Sequence, residues 1–305
     1  MTYESSRTRL GFALAGLMIL GAGSVHAADQ KANFAALHGL PADAQSSGPK
    51  MLAMDVTQAA PEVDALIQDI HGSSSQFIIL SGGASKMSDA AKAQLIGLFD
   101  AFVILARQGA HFAVGDGGTK AGIMEAAGNA RESSGEAFRL IGVSPAPEVA
   151  PGKTTIDPNH SEVIAITNAP WLEEQKGYGW EASWGFWGSE TKAMYDVFGK
   201  MAAGHPSICI VANGGGITLD EVKQNVKQSR KMLVVHGSGR IADAICEVVL
   251  GLPHTPSADA KIEEEYVKLS GKVQKANLPK DLFVSFEVGA GAEAFASQIA
   301  SMLGH

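Results

Sequence analysis

Four stretches of the chain place glycine where a strand-like run ends: Gly82–Gly83, Gly115–Gly118, Gly214–Gly216 and Gly237–Gly239. Glycine admits positive φ and, lacking a side chain, lets a ligand come up against the backbone amides. A helix that starts just beyond such a turn aims unpaired N–H groups and the positive end of its dipole at the same spot. Phosphate suits that chemistry. Polar residues stand among the glycines. Asp116 precedes Gly117 and Gly118, and its side chain suits a helix cap first and a ribose hydroxyl second. Thr119 and Lys120 follow; the ammonium is either a point charge for phosphate or a solvated first-turn side chain. Arg240 sits at a helix start, where a cation opposes the dipole, and that placement points to a bound anion. His160, after Pro158 and Asn159, either touches ligand or holds its loop. Asp116 and Glu125 are the candidate acid–base groups near the glycine rim, with Glu125 better suited to packing or pairing.

The familiar catalytic patterns are incomplete. Gly152 to Thr154 reads like the end of a P-loop, but Pro147 stands where its first glycine belongs. Gly237, Gly239 and Ala242 fit a dinucleotide G-x-G-x-x-A turn, with no acid-ended strand about 20 residues on. There is no G-x-S-x-G elbow, and the histidines form no metal-ligand spacing. No cofactor is required on this reading, although a nucleotide-derived ligand is compatible with it.

The elements that must hold these turns follow a strand–helix rhythm. Apolar runs at 76–80, 111–114, 139–143, 162–167, 207–212, 231–236 and 281–288 read as strands. Helical spacing follows most of them, at 89–107, to about 131, at 190–203, to about 229, to about 250, and at the C-terminus. Continuous apolar strands are buried on both faces, as in a parallel sheet. The expectation is an α/β, Rossmann-like, doubly wound and mostly parallel sheet of about seven strands. In such sheets ligands bind beyond the carboxyl ends of the strands, where the four glycine turns lie. Residues 28–61 are polar and turn-rich and read as an irregular arm. Residues 261–269 read as a solvated helix face. The expected organisation is 1–27, a signal peptide; 28–72, an arm and helix; and 73–305, the Rossmann-like domain.

With 305 residues, 24 Lys+Arg and 32 Asp+Glu, the net charge of −8 argues against nucleic acid as a partner. Arg7 and Arg9 precede an apolar run of about a dozen residues and the small-residue end "SVHAADQ". That is the pattern of a secretory signal cut at Ala27–Ala28, too short for a stable membrane span. A periplasmic or secreted protein is therefore expected. Cys209 and Cys246, in apolar runs, read as buried free thiols. All four tryptophans, Trp171, Trp180, Trp184 and Trp187, fall in one glycine-spaced loop. That loop suits a lid over the rim, a satellite core or a subunit interface, which leaves a homo-oligomer open.

The runs "VGDGGTKAGIMEAAG", "DPNH", "SICIVANGGGIT" and "LVVHGSGRIADAI" resemble, in this order, the SLOG superfamily and specifically its prokaryotic LSDAT group. That group is related to the N-terminal cytosolic region of melastatin-type TRP channels and, more distantly, to the LOG phosphoribohydrolases. The resemblance runs from about Phe77 to Leu303. It implies a Rossmann-like fold for nucleotide-derived ligands, ADP-ribose- or NAD-like. By that resemblance Gly82, Gly83, Gly117, Gly118, Thr119, Gly214, Gly215, Gly216, Gly237, Ser238, Gly239 and Arg240 line the pocket. The LOG enzymes carry P-G-G-x-G-T-x-x-E. Measured from Thr119, Glu125 is six residues on, about 600° around a helix, and so points elsewhere. The expected function is binding of a small, phosphate-bearing nucleotide-like ligand. The alternatives are hydrolysis of an N-glycosidic or phosphoester bond in it, or an exported scaffold without ligand.

Overall fold

The computed structural model describes residues 48–84, 87–149, 153–168 and 187–304. Eight strands form one sheet: β1 (Lys50–Asp55), β2 (Gln76–Gly82), β3 (Phe112–Asp116), β4 (Arg139–Pro145), β5 (Glu162–Asn168), β6 (Ser207–Ala212), β7 (Lys231–His236) and β8 (Phe283–Glu287). Their order is β1-β5-β4-β3-β2-β6-β7-β8, and every neighbouring pair is parallel. The helices are α1 (Pro61–Ser73), α2 (Asp89–Arg107), α3 (Gly122–Ser133), α4 (Thr191–Met201), α5 (Gly216–Lys227), α6 (Arg240–Val248), α7 (Ala260–Ala276) and α8 (Ala292–Leu303).

Alternate residues of the central strands feed two cores. Phe77, Ile79, Cys209, Val211, Met232 and Val234 pack with α1, α4, α5, α6 and α7. Ile78, Leu80, Ile208, Ile210, Leu233 and Val235 pack on the other face with α2, α3 and α8. This two-sided burial is why the strands are apolar without alternation. Cys209 and Cys246 are both buried and free.

The sheet has one strand more than the seven apolar runs. The eighth, β1, lies in the stretch read as an irregular arm and pairs with β5 from Lys50↔Glu162 onward. Of its residues only Leu52 is buried. An edge strand needs little apolar signal, and "KMLAMD" has no β-branched residue to reveal it.

Winding reverses at β2. The chain runs outward through β3, β4 and β5, then returns to lay β6 on the opposite side of β2. Loops leaving β2 and β6 therefore diverge and open a crevice at the carboxyl edge, the place where open α/β sheets take their ligands.

Candidate functional site

A cavity of about 430 Å³ opens at that crevice. Small-molecule sites span roughly 300–1,000 Å³. Gly82, Gly83 and Ala84 line it from the end of β2, Gly117 and Thr119 from the turn after β3, and Gly215 to Thr218 from the start of α5. Arg240 closes one side, and Trp187, Glu190 and Glu221 also face in. Among the described residues, Asp116, Gly118, Lys120, His160, Gly214, Gly237, Ser238 and Gly239 do not line it.

The glycines divide by what a side chain would meet. A Cβ on Gly82 would stand 2.3 Å from the Ala212 carbonyl oxygen, and one on Gly83 would stand 2.4 Å from Asn213 Oδ1. Gly118 and Gly214 have positive φ, and their Cβ positions run into Gly142 and Thr218. At Gly237 the obstacle is Val288. These glycines let the protein close on itself. Gly117 and Gly216 are different: the nearest atoms are Met124 at 3.9 Å and Lys272 Nζ at 3.7 Å.

Donor accounting separates the turns further. Ile241 N–H donates to the Gly214 carbonyl and Ala242 N–H to that of Asn213, so the first turn of α6 is spent on the β6–α5 loop. Ser238 Oγ accepts from Asn213 N–H at 2.8 Å, and Asn213 Nδ2 donates to the Ser238 carbonyl at 2.6 Å. Ile123 N–H, in the first turn of α3, donates to the Gly83 carbonyl at 3.1 Å, and Lys120 N–H donates to that of Thr155 at 2.8 Å. The N-cap of α5 is Gly215, which has no side chain to cap with. First-turn amides of a helix lack intrahelical partners, so α5 presents its donors and dipole to the cavity. Two cations stand nearby: Arg240 Nη2 would lie 3.0 Å from a Cβ on Gly215, and Lys272 approaches Gly216.

Arg240 holds a left-handed φ of 57°, unusual for a side-chain-bearing residue. The anion expected beside it is a carboxylate of the chain itself: Glu265 Oε1 accepts from its Nη2 at 2.8 Å and Nε at 3.2 Å.

Asp116 is not a helix cap. Its Oδ1 accepts from Gly118 N–H at 2.7 Å, bending the turn, and lies 2.8 Å from His160 Nε2. The helix itself starts six residues on, at Gly122. Asp116 and His160 are fully buried at their side chains, so His160 holds the turn from behind. Asp157, also buried, is raised by burial and by Asp116, against the Asn159 N–H, His160 and Lys120. Glu125 pairs with Lys92 at 3.2 Å, away from the cavity lining.

Neither Asp116 nor Glu125 lines the cavity, whereas two other carboxyls, Glu221 and Glu190, do. Glu221 accepts from the Ser81 hydroxyl, and burial pushes it up to about 8, with Glu190, Asp220 and Asp116 adding repulsion. Burial pushes Glu190 up to about 7 against hydrogen bonds from its own N–H and that of Gly188, the latter at 2.8 Å. Glu221 had a sequence signal: it lies three residues after Thr218, the T-x-x-E spacing, in the turn after β6 rather than after β3. Glu190 carried none. Trp187 joins the cavity, while Trp171, Trp180 and Trp184, with most of the aromatic loop, lie outside the described residues, as does 1–27.

Among the described residues no group of three His, Cys, Asp or Glu is placed to hold a metal ion, and no helix is long and apolar enough to cross a membrane. A family model, LSDAT_prok, described as SLOG in TRPM, prokaryote, matches residues 75–279. A comparison with curated proteins finds no match. The family relation corrects one expectation. It connects the chain to the cytosolic N-terminal domain of TRPM channels, which overturns the periplasmic or secreted location read from residues 1–27.

Proposed function

The chain belongs to the prokaryotic SLOG-in-TRPM family, whose membership suggests a nucleotide-binding fold, and from that premise we propose that it binds a phosphate-bearing, nucleotide-derived ligand of ADP-ribose or NAD type. One observation carries the reading: the uncapped first turn of α5 opens into the switch-point cavity beside Arg240 and Lys272. Anions favour such a helix end. The phosphate sits against Gly215 and Gly216, and Arg240 supplies a charged donor. Glycines elsewhere on the rim close the loops that shape this seat. Titration calorimetry with ADP-ribose, NAD and nucleoside monophosphates tests it. Saturable heat that disappears in Arg240→Ala supports the proposal; no heat with any of them rejects it.

Glu190 and Glu221 favour a second reading, hydrolysis of the N-glycosidic bond. One buried and one half-buried carboxyl in one cavity, both raised toward neutrality, can divide acid and base roles. The ionised one takes a proton from water as its oxygen bonds to the anomeric carbon. The C–N bond breaks with its electron pair on the base, which the protonated carboxyl then serves as donor. Chromatography of the calorimetry samples decides: a free base, absent with Glu221→Gln, means turnover, and intact nucleotide means binding alone.

A further inference from the structure

The cavity is electrically uneven. One end holds the first turn of α5, Arg240 and, past Gly216, the Lys272 ammonium. Glu190, Glu221 and Trp187 line the same space. Gly216 and Glu221 are five positions apart on α5, about 7.5 Å along its axis. Helix side chains lean toward the N-terminus, which brings the Glu221 carboxyl back toward the phosphate seat. A single pentose spans a gap of that size.

Among the described lining residues Arg240 is the one cation, and it already grips Glu265. The carboxylates that act on these two are themselves partnered: Asp220, beside Glu221, pairs with Lys223 at 2.9 Å, Asp116 lies 2.8 Å from His160, and Glu148, beside Glu190, pairs with Lys153 at 3.6 Å; the Ser81 hydroxyl and the Gly188 amide are the local donors. A ligand anionic throughout would meet like charge whenever either carboxyl ionises, which is costly away from water. Positive charge at the base end removes that cost, and an aromatic wall favours it further.

We infer that the cavity takes a mononucleotide whose base is a cationic heterocycle, with its phosphate over the first turn of α5 and its charged ring against Glu190 and Glu221. The inference rests on the phosphate-binding reading above. Burial raises Glu190 to about 7 and Glu221 to about 8, so at neutral pH both carry a substantial share of protons, and an arriving cation drives protons into solvent. Binding of a neutral base has no such consequence.

A matched pair of probes tests this on the full chain: β-nicotinamide mononucleotide, whose ring is a pyridinium, and its 1,4-dihydro form, whose ring is neutral. Calorimetry at neutral pH in two buffers of different ionisation enthalpy gives affinity and proton release together. The oxidised form is expected to bind at least about tenfold tighter, equivalent to about 1.4 kcal/mol, and to release protons. Glu221→Gln, and separately Glu190→Gln, should shrink both differences. Equal affinity with equal proton release for the two probes would overturn the inference and leave the phosphate reading standing. No binding of either probe or of adenosine monophosphate would overturn both.

Discussion

Two glycines on the same rim should respond oppositely to substitution. At Gly216 an added Cβ meets only Lys272 Nζ at 3.7 Å, an ordinary contact. Gly216 opens α5, and replacing a helical glycine recovers up to about 0.5–1 kcal/mol of backbone entropy. Gly216→Val should therefore fold normally. Its methyl groups, however, occupy the space before the first-turn amides. Loss of a hydrogen bond to a charged phosphate costs about 1.5–3 kcal/mol, or roughly ten- to a hundredfold in Kd. At Gly82 the Cβ would stand 2.3 Å from the Ala212 carbonyl oxygen and 3.0 Å from Ile123 Cδ1. β2 and β6 pair there, so they must part. Overpacking of that kind costs about 1–3 kcal/mol, and a domain of this size loses about 2–4 °C of Tm per kcal/mol. Gly82→Ala should therefore melt several degrees lower. Thermal melts and calorimetry on both variants check the pair. A stable Gly216→Val that binds nucleoside phosphates with unchanged affinity would refute the seat on α5. An unshifted Tm for Gly82→Ala would refute the packing account.

Arg240→Ala should weaken phosphate binding by one to two orders of magnitude, from the same charged-bond cost of about 1.5–3 kcal/mol, read as Kd by calorimetry. Glu265→Gln should tighten binding a few-fold, because Glu265 occupies the Nε–Nη2 edge of Arg240 that a phosphate would use; weaker binding would mean that Glu265 positions the arginine instead. His160→Ala leaves the buried Asp116 carboxylate with the Gly118 N–H as its remaining bond, and should cost about 3 kcal/mol in urea denaturation. Glu190 and Glu221 bind protons more tightly folded than unfolded, so between their ordinary value of 4.5 and their folded values of about 7 and about 8 the native state carries the extra protons. Stability should therefore fall as pH rises through that window, and the Glu221→Gln variant should show a shallower fall in its urea midpoint.

The sheet was legible because its strands are buried on both faces. Ile78 and Leu80 serve one core while Phe77 and Ile79 serve the other, so no polar residue interrupts the run. β1 escaped the same logic: it buries one residue and takes its place from backbone pairing with β5, which no local pattern encodes. The helix over 260–276 was visible, yet its use was not. Its acidic run looks solvated in sequence, but Glu265 reaches Arg240 and Lys272 reaches Gly216 once the chain has folded back.

The site divides in the same way. Glycine marks where backbone must come close, but its letter does not say to what. Gly83 gives way to Asn213, Gly118 to Gly142, and Gly216 to open cavity; in sequence the three are alike. "GSGRIA" shows the difference most plainly. Its resemblance to a dinucleotide turn is sound locally, since Gly237 and Gly239 do take positive φ before a helix. The amides that should cradle phosphate are nevertheless consumed, Ile241 by Gly214 and Ala242 by Asn213. Those two bonds, with Ser238 on Asn213, fix the loop that leads into α5. The motif after β7 thus acts by holding the one after β6 open, and sends only the Arg240 side chain into the cavity. A neighbouring strand supplies what each turn lacks, so the proposed seat draws on the pair β6 and β7 and could not be assigned from either turn alone.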